Sequence, residues 1–370
     1  MKFTVEQKRL NLAVKAINKC LNKKPHLPIL GGIQLTVKAN ELELTTVDLT
    51  ATLKVRIAAA VEEEGMVVVS GKNFIEAVGF FDGLETKCSV SEKEMLVVNG
   101  RDKVKIPLMT DEMPEFRMDK MPADKKMSVN FWEEIVKRVA FAASSDESRP
   151  ALTGILLKDN AEKTQIVCTD GFRLAIWQAD KKLELDGENQ AIVSAKAVSD
   201  MVGLSVILEE TRVGFAYDKE NEQMVFAGES FVYGTKVINS NYPPFEKIVP
   251  LEFTTEVVLE REELIRNLGK ASVFTKADSN TVKITIGKDL VVYDAVSMGE
   301  GSFHGEQEVV KESGEGLEIS FNIKYLLEFL ATQESTTIWI GCNGPTSPAM
   351  IRDPKNTQLE YVVMPFKPKG

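Results

Sequence analysis

The feature that most constrains the fold is an internal repeat. Three stretches run from an apolar strand into a helix opening on Ser or Asn, with a lysine two positions on: VVVSGKNFIEAV around Lys72, AIVSAKAVSDMV around Lys196 and ISFNIKYLLEFL around Lys324. The first two lysines stand 124 residues apart and the last two 128, a spacing that points to one supersecondary design used three times. Ser70, Ser194 and Asn322 suit the N-cap, where a short side-chain oxygen accepts from an unpaired helix N–H. Phe74/Val78, Val198/Val202 and Leu326/Leu330 stand at i,i+4, on the buried face of a short helix.

Each copy also opens with a short strand before a longer helix: MKFTV before 6–22, MSVN before 131–143 and TEVVL before 262–273. Each closes on a proline segment, Met113-Pro114-Glu115-Phe116, Tyr242-Pro243-Pro244-Phe245 or Met364-Pro365-Phe366, and proline does not continue a central strand. Between them, alternating runs such as GIQLTV, ELELTTVD, ILLKD, TQIVCTD, VKITIG and LVVYDAV read as antiparallel strands. The expectation is an α+β protein of three modules, 1–122, 123–252 and 253–370.

Charge is segregated. The chain carries a net charge of -10, which argues against a surface that holds phosphate everywhere. Yet residues 5–24 place Lys8, Arg9, Lys15, Lys19, Lys23 and Lys24 against one acid, Glu6. At about 100° per residue Lys8, Lys15 and Lys19 fall within roughly 40° of one another, opposite Leu10, Val14, Ile17 and Leu21. Lys24-Pro25 and Arg149-Pro150 follow the first helix of modules one and two at equivalent positions, and the second and third modules carry weaker basic pairs, Lys137/Arg138 and Arg266/Lys270. A lone helix of this kind is as often simply a solvated face. With no helix-turn-helix, zinc-finger or aromatic single-strand signature, the fitting mode is sequence-independent phosphate contact, with Lys8, Lys15, Lys19, Lys24, Lys72, Arg149 and Lys196 as candidates.

Catalysis finds little support. Cys20, Cys88, Cys168 and Cys342 form no CxxC pair and read as buried free thiols, and only His26 and His304 are present. There is no GxxxxGK[ST]; the segment from Gly299 to Gly305 lacks the GxGxxG spacing and reads as a loop. Asp48, Asp170 and Asp294 recur after strands and invite a carboxylate metal site, but read better as turn or cap residues. No catalytic residue, metal or cofactor is expected. An enzyme built on those aspartates, or a monomeric peptide-binding module, stands as the alternative. The first residues lack a signal-peptide run, and nowhere do about 18 uncharged apolar residues follow one another, so a cytoplasmic protein is expected.

The stretches MKFTV, KKPHLPILGGIQLTV (23–37), SSDESRPALTGILL (144–157), TDGFRLA (169–175), NYPPFEKIVP (241–250), FNIKYLLEFL (321–330) and YVVMPFKPKG (361–370) resemble the β subunit of bacterial DNA polymerase III across all three modules and both ends. The resemblance implies the DNA clamp fold: a head-to-tail homodimer of three-domain subunits, helices lining a ring and antiparallel sheets outside. It implies a non-catalytic sliding clamp that encircles duplex DNA and tethers polymerase subunits, the clamp loader and repair proteins by short hydrophobic peptides. The implied peptide pocket comprises Leu152, Thr169, Gly171, Phe172, Arg173, Leu174, Pro243, Lys247, Ile248, Asn322, Tyr325, Val362, Met364, Pro365 and Phe366. The implied dimer contact sets Val273 and Phe274 against Ile106 and Leu108. Phe172, Ser279, Pro348 and the tail from Lys367 to Gly370 depart from the family pattern.

Overall fold

The computed structural model describes residues 1–118, 120–122, 125–185, 189–275, 280–297 and 301–366. They gather into two compact units: Met1–Glu133 with Lys196–Val237, and Glu134–Ala195 with Ile238–Gly370. The helices are α1 (Gln7–Cys20), α2 (Gly71–Gly79), α3 (Val129–Arg138), α4 (Ala195–Ile207), α5 (Arg261–Val273) and α6 (Ile323–Leu330). α3 stops at Arg138, short of the expected 143, and a 3-10 turn, Ala140–Ala142, follows it. The caps fall as the repeat predicts: the Ser70 side chain accepts from Asn73 N at 3.4 Å and Asn322 from Lys324 N at 2.9 Å, and α4 begins directly after Ser194. Of the six apolar i,i+4 residues, Val202 alone is half-buried while the other five are buried.

The first unit holds a five-stranded sheet in the order Ala60–Glu63, Lys2–Glu6, Glu85–Val90, Glu94–Asn99, Asp102–Pro107. Its eight-stranded sheet runs Lys126–Ser128, Arg212–Asp218, Gln223–Ala227, Phe231–Lys236, Ala51–Ala58, Glu41–Val47, Gly32–Lys38, Gly65–Ser70. The second unit holds a nine-stranded sheet, Gln190–Ser194, Gly154–Asp159, Thr164–Thr169, Arg173–Gln178, Leu359–Val363, Ala349–Arg352, Thr337–Cys342, Thr255–Glu260, Lys311–Gly314. Its four-stranded sheet runs Gly301–Glu308, Leu290–Ser297, Thr281–Ile286, Leu317–Asn322. The pairings among these strands are antiparallel, as expected from the alternating runs.

The repeat is written into backbone pairing. Gly32 lies opposite Ser70, Gly154 opposite Ser194 and Thr281 opposite Asn322, which fixes counterparts across the copies. Met109 N then donates to Val68 O at 2.8 Å, Ile238 N to Ile192 O at 2.8 Å and Phe366 N to Ser320 O at 2.7 Å, one bond made three times. Following the ladders, Leu53, Ala175 and Phe303 are counterparts, as are Val104, Tyr233 and Tyr361. Successive copies join by one rule. Leu53 pairs with Tyr233 within the first unit, and Ala175 with Tyr361 within the second. The same register corrects two expectations. Asp294 is the counterpart of Thr45 and Val167 inside a strand, not of Asp48 and Asp170 in turns, because the strand it lies in runs on to Ser297. Residues 301–305 are strand rather than loop, since Gly301–Glu308 pairs along Leu290–Ser297; Gly299 and Glu300 lie outside the described residues.

α1 buries Leu10, Ala13, Val14, Ala16 and Ile17 against the strands of its unit. At its start the buried Gln7 is a junction. Its Nε2 donates to Val78 O at 3.0 Å and Asn11 Oδ1 at 3.1 Å, and its Oε1 accepts from the Thr86 hydroxyl and from Asn99 Nδ2 at 3.2 Å. Cys88, Cys168 and Cys342 are buried free thiols and Cys20 is half-buried; burial pushes the Cys88 thiol up to about 12. Among the described residues no helix is long and apolar enough to cross a membrane. Replacing Gln7 by leucine keeps the volume but removes the acceptor of the buried Thr86 hydroxyl and one partner each from the Asn99 amide and the Val78 carbonyl, which keep Glu85 O and Phe81 N. Each orphaned buried group costs about 1–3 kcal/mol, so Gln7→Leu is expected to lower stability by about 2–4 kcal/mol in urea denaturation; an unchanged midpoint contradicts the network.

Candidate DNA-facing helix and peptide groove

The cationic face of α1 is the one its core face dictates. With Leu10, Val14 and Ile17 turned inward, Lys8, Lys15 and Lys19 are exposed, and Leu21 is buried as expected. Glu6 is paired with Arg9 at 3.1 Å, so the only acid of this segment is already engaged. Lys19 Nζ lies over Gly203 of α4, where an added methyl would stand 2.5 Å away; the lysine reaches across because glycine leaves it room. Lys23 and Lys72, with Asn18 and Asn22, flank a cavity of 600 Å³. Among the described residues Lys8, Lys15, Lys19, Lys24 and Lys72 form no ion pair.

Two further candidates are less free. Lys196 is bonded to Asp200 one turn along α4, which neutralises part of its charge. Arg149 belongs to the second unit, pairs with Asp146 at 3.3 Å and stands 3.3 Å from where a methyl on Gly171 would lie. Its place is therefore beside the turn that carries Phe172. Asp48 and Asp170 serve as turn residues: Asp48 Oδ1 accepts from Thr50 N at 2.7 Å, and Asp170 Oδ1 from Phe172 N at 2.9 Å. Asp294 instead faces His304 at 2.8 Å and Lys283 at 3.9 Å. Among the described residues no group of three or more His, Cys, Asp or Glu is arranged so that it could hold a metal ion.

The expected peptide site falls in the second unit, on a turn and a tail. Gly171 takes φ +93°, a conformation glycine adopts without strain, and its N–H donates to Thr169 Oγ1 at 3.0 Å while that hydroxyl donates to Arg173 O at 2.5 Å. The turn lifts Phe172 out to 57% exposure. Met364 N donates to Phe172 O at 2.8 Å and Phe366 N to Ser320 O at 2.7 Å, so the tail is pinned between the turn and the strand that leads to α6. Met364 and Pro365 are half-buried, while Phe366 and Ile248 remain 42% and 44% exposed. Pro243 and Lys247 are exposed on the segment around the 3-10 turn Phe245–Ile248.

Arg173 holds this corner together. It is buried, its Nε donates to Asp170 Oδ2 at 3.1 Å, its Nη1 to Glu328 and its Nη2 to Phe141 O at 2.6 Å. The guanidinium stacks on Tyr325 at 4.5 Å and Phe141 at 5.6 Å. Tyr361, stacked on Phe329 at 4.6 Å, donates to Tyr325 O at 3.0 Å. Burial, with Asp170 next to it, raises the Tyr325 phenol above its ordinary pKa. Arg173 is thus a positioning residue rather than a surface charge.

Four expected pocket residues are engaged within the unit itself. Leu152, Leu174 and Val362 are buried, and Leu174 and Val362 pack with Phe245 and Met350 in one core cluster. The Asn322 side chain is occupied in capping α6. Pro348 is half-buried just before the strand Ala349–Arg352; Ser279 and the tail from Lys367 to Gly370 lie outside the described residues. Sequence reasoning misses Phe141, Glu328 and Tyr361, because what recruits them is contact with a buried arginine that no local spacing announces.

Family models match the whole length in three parts: the N-terminal domain of the DNA polymerase III beta subunit over residues 1–117, the central domain over 126–244 and the C-terminal domain over 246–367. The chain belongs to this family. The beta sliding clamp of Chlamydia pneumoniae is 26% identical over 378 residues, and that of Synechococcus elongatus 24% over 378, each alignment covering 99% of both chains. The solved structure of the DNA polymerase III beta subunit of Thermotoga maritima is 26% identical, with a TM-score of 0.89 and 100% of both chains covered. In this member of the beta-subunit family, Arg173→Met leaves Asp170 without its cation and Glu328 with Lys324 alone, at 3.7 Å. Breaking a buried pair costs about 3–5 kcal/mol, and because Glu328 is partly exposed a loss of about 2–4 kcal/mol is expected. Thermal unfolding at the wild-type temperature contradicts this role.

Proposed function

We infer that the chain is a DNA sliding clamp, a ring-shaped processivity factor that encircles duplex DNA and tethers the replicative polymerase. The observation that carries the ring is the pair of strand edges left over by the repeat. The rule that pairs Leu53 with Tyr233 and Ala175 with Tyr361 sets Phe303 opposite Val104 of a second copy. Gly301–Glu308 and Asp102–Pro107 are the edge strands of their sheets, and Phe303 and Val104 are each half-buried. The same register faces Glu306 towards Arg101. A heterologous contact of this kind closes when its rotation returns to the start, and a head-to-tail homodimer of modules 1–122, 123–252 and 253–370 is the proposed assembly.

The proposed dimer contact keeps Phe274, whose ring lies 3.3 Å from where a methyl on Gly301 would be, together with the exposed Val273 and the half-buried Leu108. Ile106 enters differently from its sequence-based role: its side chain is buried in its own unit, so it offers only backbone. Phe274→Ala with Leu108→Ala is expected to shift dimer towards monomer in analytical ultracentrifugation. A variant sedimenting as an unaltered dimer places the contact elsewhere.

The proposed lining is the free cationic face, chiefly Lys8, Lys15, Lys19, Lys24 and Lys72, with Arg149 and the paired Lys196 in lesser parts. The groove around Phe172, Met364 and Phe366 is proposed to take short apolar peptides of polymerase subunits, the clamp loader and repair proteins, its exposed apolar side chains set on a rigid arginine-braced frame. The protein is proposed to act without catalysis, in the cytoplasm. Replacing Lys15, Lys19 and Lys24 together by glutamate leaves the core faces untouched. It is expected to abolish most DNA-dependent stimulation of a polymerase and to reduce the salt slope of DNA binding by about 1 for each phosphate no longer neutralised. Unchanged stimulation contradicts the lining.

A further inference from the structure

Two faces that the repeat makes equivalent are treated differently. In the second unit Leu156, Val167, Leu174 and Ile176 form an apolar sheet face, sealed by Phe245 with Tyr242, Val249 and Phe253 of the segment after Ile238. Their counterparts in the first unit are Gln34, Thr45, Thr52 and Lys54. There the matching segment, which carries Pro114, Phe116, Met118 and Met121, leaves a cavity of 520 Å³ against the sheet.

A polar face cannot be sealed dry without a cost for every unpaired group, and the cations here are incompletely matched. Glu43 serves Arg56 at 2.8 Å and only reaches Lys54 at 4.0 Å, while Arg117 stands 3.6 Å from Glu115. Three cations thus share two carboxylates. Beside them Val47, Phe116, Met118, Met121 and Val232 supply apolar surface. Among the described residues no backbone group from 110 to 118 bonds another backbone group, so the part of this segment that lines the cavity, Pro114 to Met118, has N–H and C=O groups open to pairing. Unpaired extended backbone favours a strand-like peptide over a compact small molecule, and the volume lies within the usual range of about 300–1,000 Å³ for ligand sites.

We propose that this cavity is a second peptide site, distinct from the tail groove, which takes an extended acidic segment of a partner protein. A carboxylate of the segment pairs with Lys54 and Arg117, and an apolar side chain enters among Phe116, Met118 and Met121. The site belongs to the first unit alone and does not rest on ring closure. The test titrates a fluorescein-labelled hexapeptide alternating Glu and Leu, and a matched Lys/Leu hexapeptide, into the full chain. Saturable binding of the Glu/Leu peptide alone is expected, weakened at least tenfold by Lys54→Glu with Arg117→Glu and retained by a chain lacking residues 364–370. Arg117→Glu alone, at an exposed position, is expected to weaken it in the same direction should the double variant fold poorly by circular dichroism. No saturable binding, equal binding of the Lys/Leu peptide, indifference to the substitutions, or disappearance of binding on deleting the tail each overturns the proposal.

Discussion

Antiparallel pairing between a strand of one copy and a strand of the next is the interaction on which the rest of the structure depends. Each copy has more sheet than it can finish alone. The strand Ala51–Ala58 is completed by Phe231–Lys236, and Arg173–Gln178 by Leu359–Val363. An unfinished edge exposes a row of N–H and C=O groups that invites another chain, so three copies in one chain join four of their six such edges in two pairings and leave two. A second chain that settles those two gives each edge its partner and stops the growth. The repeat, the edge strands and closure are one constraint seen at three scales.

Electrostatics then follows from topology rather than from affinity. A chain of net charge -10 is repelled by duplex DNA over most of its surface. The face of α1 reverses that sign locally because its acid is paired with Arg9, while Lys8, Lys15 and Lys19 form no ion pair among the described residues. Phosphate contacts of this kind position DNA without reading it and weaken as salt rises. A clamp that is held by closure can let such contacts be weak and replaceable, which is what sliding requires.

The parts of this architecture that are legible in the sequence are those set by period. The caps at Ser70 and Asn322, the core face of α1 and the six alternating strand runs follow from local spacing, and the structure has them where spacing puts them. What is not legible depends on register and on contacts far along the chain. Asp294 sits three residues before the counterpart of Asp48, at the mid-strand position that Thr45 and Val167 hold in the other copies. Arg173 is a pocket residue by resemblance, and its burial among Glu328, Phe141 and Tyr325 rests on residues far along the chain that its local sequence does not name. Leu174 and Val362 read as groove walls, yet a neighbouring cluster with Phe245 and Met350 claims them. Ile106 alternates inward on an edge strand, a fact that only the pairing of that strand decides.

Retention on closed against open DNA tests the central claim most directly, because topology and ordinary affinity differ there and nowhere else so clearly. The protein is loaded on a nicked circular duplex, freed of unbound chains, and followed by gel filtration before and after one restriction cut. An encircling protein stays on the circle through a wash at high salt and leaves within the time of the cut once ends exist. Equal retention on circular and linear DNA would contradict the central claim, since binding would then rest on contact and not on encirclement.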